Sequence, residues 1–140
     1  MTADELAIHR IVQELVAGWN AGDGARFAAP CAPDADFITI AGLHVKGREQ
    51  ICTGHQQIFD TFYKDSRNRY DLEAIRWLSA DAAVVLVQAS LQFQRDGAWH
   101  ELHARLTMVL VRTAEHWQIV TFQNTLITDQ QWLMAAALQA

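Results

Sequence analysis

His55 is the residue of this sequence best suited to acid–base chemistry. Its neighbours at helical spacing are apolar, namely Ile51, Ile58, Phe59 and Phe62, so the imidazole should point inward. A neutral imidazole in an apolar pocket can accept or donate a proton near neutral pH, as a general base requires. The alternative is a core histidine that hydrogen-bonds a backbone carbonyl, and the sequence leaves both interpretations open.

Two charged residues could complete a catalytic site around His55. Asp36 begins a predicted strand, where a partly buried carboxylate could orient His55 or act as a base of raised pKa. Arg105 lies in an alternating strand, and on a pocket face it would have to hold Asp36 or bind a ligand oxygen, because an unpaired buried charge is too costly. The alternatives are an aspartate that caps a turn and an arginine that faces solvent.

Aromatic side chains could form the walls of a ligand pocket. Trp19, Phe37 and Phe59 would pack against a planar apolar molecule. Aromatic residues at helical spacing are, however, more often simply part of a core. The sequence therefore supports a pocket wall and an ordinary core at these positions, and it does not decide between them.

Polar side chains on the predicted strands are the remaining ligand candidates. Thr107 shares the parity of Arg105 and would face the same way. Gln123 and Asn124 are adjacent, so only one of them can face the pocket from a regular strand. Alternation groups Gln123 with Thr121, and it leaves open which set lies inside.

Other kinds of site have little support in this sequence. Cys31 and Cys52 lack CxxC spacing and a further cysteine partner, and His100 and His103 fall on opposite faces of a strand, so we expect no metal. No GxSxG elbow or glycine-rich phosphate loop occurs, so we expect no cofactor. The net charge is −5, with acids and bases interspersed, which argues against nucleic-acid binding.

The length and the apolar pattern predict one domain that is not embedded in a membrane. A chain of 140 residues fits a single domain. No apolar run approaches the roughly 20 residues that a membrane span needs, and the first residues lack the pattern of a signal peptide. We therefore expect a cytoplasmic protein with no membrane partner and with both thiols free.

The elements that must position these side chains follow in a recognisable order. Thr2 and Glu5 have capping-box spacing and open a first helix, and Asp96-Gly97 predicts a hairpin between two alternating runs. A short second helix, a hairpin at 36–46 and a helix at 48–62 lie between them. The predicted long strands are 69–78, 82–95, 99–112 and 117–126. A short extra helix is predicted over Asp129 to Leu138.

This order predicts an α+β fold. Consecutive long hairpins make a curved antiparallel sheet, and the three helices of the N-terminal half must cover one face of it. Residues 1–126 would form the domain, and residues 127–140 would be a helical extension of it.

Local motifs in this order carry a resemblance to a known family. They are Trp19-Asn20-Ala21-Gly22-Asp23, Pro33-Asp34-Ala35-Asp36-Phe37, Gly47-Arg48-Glu49-Gln50-Ile51 with His55 and Phe59, the run 105–112, and the run 117–125. Together they resemble the nuclear transport factor 2-like superfamily, and more closely its SnoaL-like branch with the SgcJ/EcaC-type proteins. The resemblance implies a cone-shaped α+β barrel with a pocket between sheet and helices, often dimeric through the outer sheet surface.

The resemblance also implies a choice of functions. The superfamily includes ketosteroid isomerases, dehydratases, polyketide cyclases, epoxide hydrolases and non-catalytic binders, so the fold alone does not select a reaction. We expect a pocket for a small hydrophobic molecule, and a cofactor-independent isomerase, cyclase, dehydratase or hydrolase acting on a polyketide-like intermediate. The alternative is a non-catalytic binding or accessory protein of a biosynthetic pathway. Gln123 stands where close relatives tend to carry histidine, so it is the preferred pocket residue of its strand, but that strand lacks a proton carrier.

Overall fold

Three helices and six strands lie within residues 1–128 of the structure, a computed structural model. The structure describes residues 1–128, 134 and 136–138. The elements are α1 (Ala3–Asn20), α2 (Gly24–Ala28), β1 (Cys31–Ile38), β2 (His44–Lys46), α3 (Arg48–Asp60), β3 (Arg67–Ser79), β4 (Ala82–Arg95), β5 (Ala98–Thr113) and β6 (His116–Leu126).

The predicted capping box opens α1. The Thr2 hydroxyl accepts a hydrogen bond from the Glu5 backbone at 3.1 Å, and the Glu5 carboxylate accepts one from the Thr2 backbone at 3.3 Å. Ile8, Val12 and Leu15 then form the buried face of the helix, as the apolar period predicts.

The six strands form one sheet in the order β2-β1-β6-β5-β4-β3. The α+β fold is confirmed, with one difference in the sheet: β1 pairs with β6 in parallel, whereas the other neighbours pair antiparallel. Hairpin signals specify only pairs of consecutive strands. The partner of β1 comes last in the chain, so its direction could not be predicted from local turns.

One face of the sheet is buried beneath the helices. Along β4 and β5, buried positions alternate with half-buried or exposed positions, as in a strand with one covered face. The β5 side chains Leu106, Met108 and Leu110 are each at most 2% exposed. Register shifts interrupt the ladders β1–β6, β3–β4 and β5–β6, and such bulges bend a sheet.

The predicted C-terminal helix, Asp129 to Leu138, lies largely outside the described residues. Residues 134 and 136–138 are helical, and nothing further is described of the extension predicted at 127–140 beyond its first two residues. Among the described helices, none combines the length and the apolar character needed to cross a lipid bilayer.

Candidate functional site

A cavity of about 390 Å³ lies between α3, the β1–β2 hairpin and the buried face of the sheet. Its walls are mostly apolar. Its polar lining residues are Thr39, Gln50, His55, Gln57, Tyr63, Asn68, Tyr70 and Asn124, together with the indole of Trp19. Among the described residues that line the cavity there is no Asp, Glu, Lys or Arg.

His55 lies in the cavity wall, on the buried face of α3, as predicted. The residue is only 8% exposed. Its ring stacks on Phe27 at a centroid distance of 4.1 Å and meets the edge of Phe37 at 4.9 Å. Its Nδ1 lies 2.7 Å from the carbonyl oxygen of Ile51, one helical turn earlier. His55 is therefore a backbone-bonded histidine that also faces a cavity.

The chemical state of His55 follows from these contacts. Burial among aromatic rings lowers the pKa of His55 from its ordinary 6.5 to about 4, although the hydrogen bond to Ile51 acts in the opposite direction. The ring is therefore neutral at pH 7. Because a carbonyl can only accept, Nδ1 carries the proton and Nε2 carries a lone pair. His55 is thus suited to accept a hydrogen bond and is a weak base for moving protons at neutral pH.

Tyr70 and Asn68 contribute polar groups to the cavity from β3. Both side chains point inward, with Leu72 following at the same parity. Burial raises the pKa of Tyr70, so its phenol stays protonated. Sequence reasoning identified the strand but did not choose its inner face. The alternation Asn68, Tyr70, Leu72 was the signal that could have found them.

The position of Asn68 is fixed by Asn20, the last residue of α1. The Asn20 amide donates to the carbonyl oxygen of Asn68 at 3.1 Å, and its oxygen accepts from the backbone N–H of Asn68 at 2.7 Å. Asn20 thus binds an edge strand as a neighbouring strand would. The side chain at the end of the first helix therefore sets one wall of the cavity.

Asp36 does not meet His55, contrary to the predicted pairing. Phe37 faces the cavity, so its neighbour Asp36 points to the other face of β1. Its carboxylate accepts hydrogen bonds from His44 at 2.8 Å and Lys46 at 3.2 Å. These two bonds lower the pKa of Asp36, the His44 bond most strongly. Asp36 is therefore a surface carboxylate and cannot be a base of raised pKa.

Arg105, Thr107 and Gln123 lie on the outer face of the sheet, and none of them lines the cavity. Arg105 is paired with Glu73 at 2.7 Å, and its side chain is 60% exposed. Thr107 and Gln123 are exposed cross-strand neighbours. Arg105 and Thr107 share one face of the sheet, as predicted, but the helices cover the opposite face. Asn124, not Gln123, faces the cavity, where its amide donates to the Ile38 carbonyl at 2.8 Å.

The predicted aromatic walls are partly formed. Trp19 and Phe37 line the cavity, and the Trp19 indole N–H donates to Ser66 at 2.9 Å. Phe59 is buried behind Trp19, at a ring distance of 4.9 Å, and is not part of the lining. Phe62 was expected on the same face as His55, but α3 ends at Asp60 and Phe62 is 77% exposed.

Comparison with known proteins finds a matching family model and similar solved structures. A family model described as "SnoaL-like domain" matches residues 8–126. A domain of unknown function with a cystatin-like fold from Nostoc punctiforme is 31% identical, with a TM-score of 0.83 over 99% of this chain and 87% of that chain. A Caulobacter vibrioides protein of the same fold is 26% identical, with a TM-score of 0.79 over 96% of each chain.

More distant structures share the fold alone. A ketosteroid isomerase-like protein from Erwinia carotovora is 15% identical, with a TM-score of 0.76 over 91% of this chain and 99% of that chain. No curated protein matches this sequence.

Proposed function

The chain belongs to the SnoaL-like domain family, and from that premise we propose that it binds a neutral, largely apolar small molecule in the cavity beside His55. The observation that carries this proposal is the uncharged lining of the cavity in the part of the chain that the structure describes. A ligand carboxylate or phosphate would lose its hydration there without gaining a partner charge, at a cost of several kcal/mol or more. A neutral ligand avoids that cost.

The size and the entrance of the cavity suit such a ligand. A volume of about 390 Å³ falls within the usual range for small-molecule pockets. The exposed lining residues lie on the β1–β2 hairpin and on α3, which marks the mouth between them. Ile40 and Leu43 at the mouth are 39% and 66% exposed. A hydrophobic ligand would cover these side chains as it enters, and that burial would favour binding.

The proposal is tested by titration with N-phenyl-1-naphthylamine, a neutral apolar dye whose fluorescence rises when it leaves water. Ala89 is a small cavity residue on β4, 5% exposed. We expect Ala89→Phe to fill the space and to weaken dye binding by about tenfold or more, the equivalent of losing one well-packed ring. The adjacent Gln88 points to the opposite face, so Gln88→Phe should bind the dye as the wild type does.

Two further results would decide the matter. Arg105→Ala should leave dye affinity within about twofold of wild type, because this side chain lies outside the cavity. Absence of dye binding to the wild type, or equal affinities for Ala89→Phe and Gln88→Phe in folded proteins, would contradict the proposal. Thermal unfolding of each variant establishes that it is folded.

An enzymatic role is the second candidate, and it was the first expectation from the sequence. The observation in its favour is that His55 Nε2 and the Tyr70 hydroxyl, both lining the cavity, have no hydrogen-bond partner among the described residues. The described lining offers no carboxylate, and His55 is a weak base, so proton abstraction has less support than binding. A role in the biosynthesis of a polyketide-like compound, and the SgcJ/EcaC subtype, stay predictions from the resemblance.

We also propose that two copies associate through the outer face of the sheet. Leu86 is 39% exposed on the outer face of β4, and Val84 and Val109 beside it are partly exposed. A second copy would cover this apolar strip. Leu86→Glu should therefore convert a dimer into a monomer in light scattering after gel filtration, because a charge would be buried without a partner. A monomeric wild type would overturn this proposal and leave the binding proposal intact.

A further inference from the structure

We propose that the cavity selects ligands that carry a hydrogen-bond donor, a hydroxyl or N–H group, and that it does so by presenting Nε2 of His55 as an unpaired acceptor. The inference rests on the proposed binding function and narrows its ligand class. The ligand would be a neutral phenol, enol, alcohol or amide attached to an apolar framework. Three features of the site lead to this conclusion.

The first feature is that the tautomer of His55 is fixed from within the helix. The carbonyl of Ile51 lies 2.7 Å from Nδ1 and can only accept, so Nδ1 must hold the ring proton. The ring packs against Phe27 and Phe37, with centroid distances of 4.1 and 4.9 Å. These contacts leave Nε2 as the lone-pair nitrogen of a well-packed ring.

The second feature is that Nε2 opens into the cavity. His55 lines the cavity, and no hydrogen bond to Nε2 forms within the described residues. In the same part of the chain, no side-chain nitrogen or oxygen is both fully enclosed and without a partner. Nε2 therefore keeps some accessible surface, and since His55 lines the cavity, we assign that surface to the cavity.

The third feature is the energetic cost of covering this acceptor with carbon. A ligand without a donor would displace water from Nε2 and leave it unpaired, which should weaken binding by about tenfold. A ligand with a donor would recover that loss. The Tyr70 phenol is a protonated donor, but it makes no hydrogen bond to His55 within the described residues, and no charged side chain lines the described cavity.

The test compares three ligands that share the naphthalene ring system: 2-naphthol, 2-methoxynaphthalene and naphthalene. The ether keeps the oxygen acceptor of 2-naphthol and lacks its donor. We expect wild-type protein to bind 2-naphthol about tenfold more tightly than the ether, in displacement of N-phenyl-1-naphthylamine. His55→Phe should lose that preference and still bind naphthalene. Tyr70→Phe should retain the preference, since the donor-dependent contact is with His55.

The outcomes separate this inference from the binding proposal. Equal binding of 2-naphthol and the ether by the wild type, or a preference that persists in His55→Phe, would overturn the inference while the cavity still binds ligands. Failure of all three ligands to bind would instead contradict the binding proposal. If His55→Phe does not fold, the nitrogen NMR shift of His55 Nε2 in the wild type gives the same answer: it should move with 2-naphthol and not with the ether.

Discussion

Replacement of Asn20 by alanine should lower the free energy of unfolding by about 2–4 kcal/mol, which would make it one of the most damaging single changes outside the apolar core. Its amide group makes two hydrogen bonds to the backbone of Asn68, at 3.1 and 2.7 Å. Alanine would leave a backbone N–H and a carbonyl of β3 without partners in a part-buried place. Urea unfolding monitored by circular dichroism measures the change.

Matched variants show whether the two hydrogen bonds are responsible. Asn20→Asp keeps the acceptor but places a carboxylate oxygen against the Asn68 carbonyl at the C-terminal end of α1, so it should be destabilised to a similar extent as Asn20→Ala. Gln13→Ala removes a side chain from an exposed position of the same helix and should change stability by at most about 0.5 kcal/mol. If Asn20→Ala lowered the free energy of unfolding as little as Gln13→Ala, the two hydrogen bonds from Asn20 to β3 would contribute little to stability.

The hydrogen bonds from Asn20 to Asn68 also link stability to the cavity. Asn68 and Tyr70 lie near the start of β3, and the β3 backbone is held on one side by β4 and at Asn68 by Asn20. An Asn20→Ala variant that stays folded should therefore bind a cavity ligand more weakly, although Asn20 does not line the cavity. A helix-terminal residue can thus act on a binding site through the strand that it holds.

The sequence predicted the cavity better than it predicted the polar groups around it. Helical periodicity placed His55 inward because its apolar neighbours at that spacing define the one face of the helix that packs into the core. The same reasoning placed Trp19 correctly. Strand alternation gives two faces without saying which is covered, and for Arg105 and Gln123 the wrong face was chosen.

The wrong placement of Asp36 could have been avoided with the sequence alone. Asp36 and Phe37 are adjacent on a strand, so both cannot face the same pocket. Choosing Phe37 as a wall already excluded Asp36 as a partner of His55. The inward position of Tyr70, in contrast, depends on α1 packing against β3, a long-range contact that no local pattern contains. The parallel pairing of β1 with β6 is of the same kind.

The stability of the protein should fall as the pH decreases from about 6.5 to about 4, and His55 should account for about 3 kcal/mol of that loss. Burial depresses the pKa of the folded-state imidazole from 6.5 to about 4. Between these values the unfolded chain binds a proton that the folded protein excludes. The contribution is therefore fully present above about pH 6.5, and it is lost progressively as the pH falls through that interval.

A His55→Gln variant isolates this contribution, since glutamine is polar and does not titrate. Urea unfolding at about pH 7 and about pH 4.5 should show a clearly smaller loss of stability in the variant than in the wild type. The lowered pKa values of Asp36 and Glu14 add a loss at still lower pH, but both proteins share it, so the difference between them reports on His55. An equal pH dependence in the two proteins would mean that the ring is not buried as a neutral acceptor, and the selection of donor-bearing ligands would then lose its physical basis.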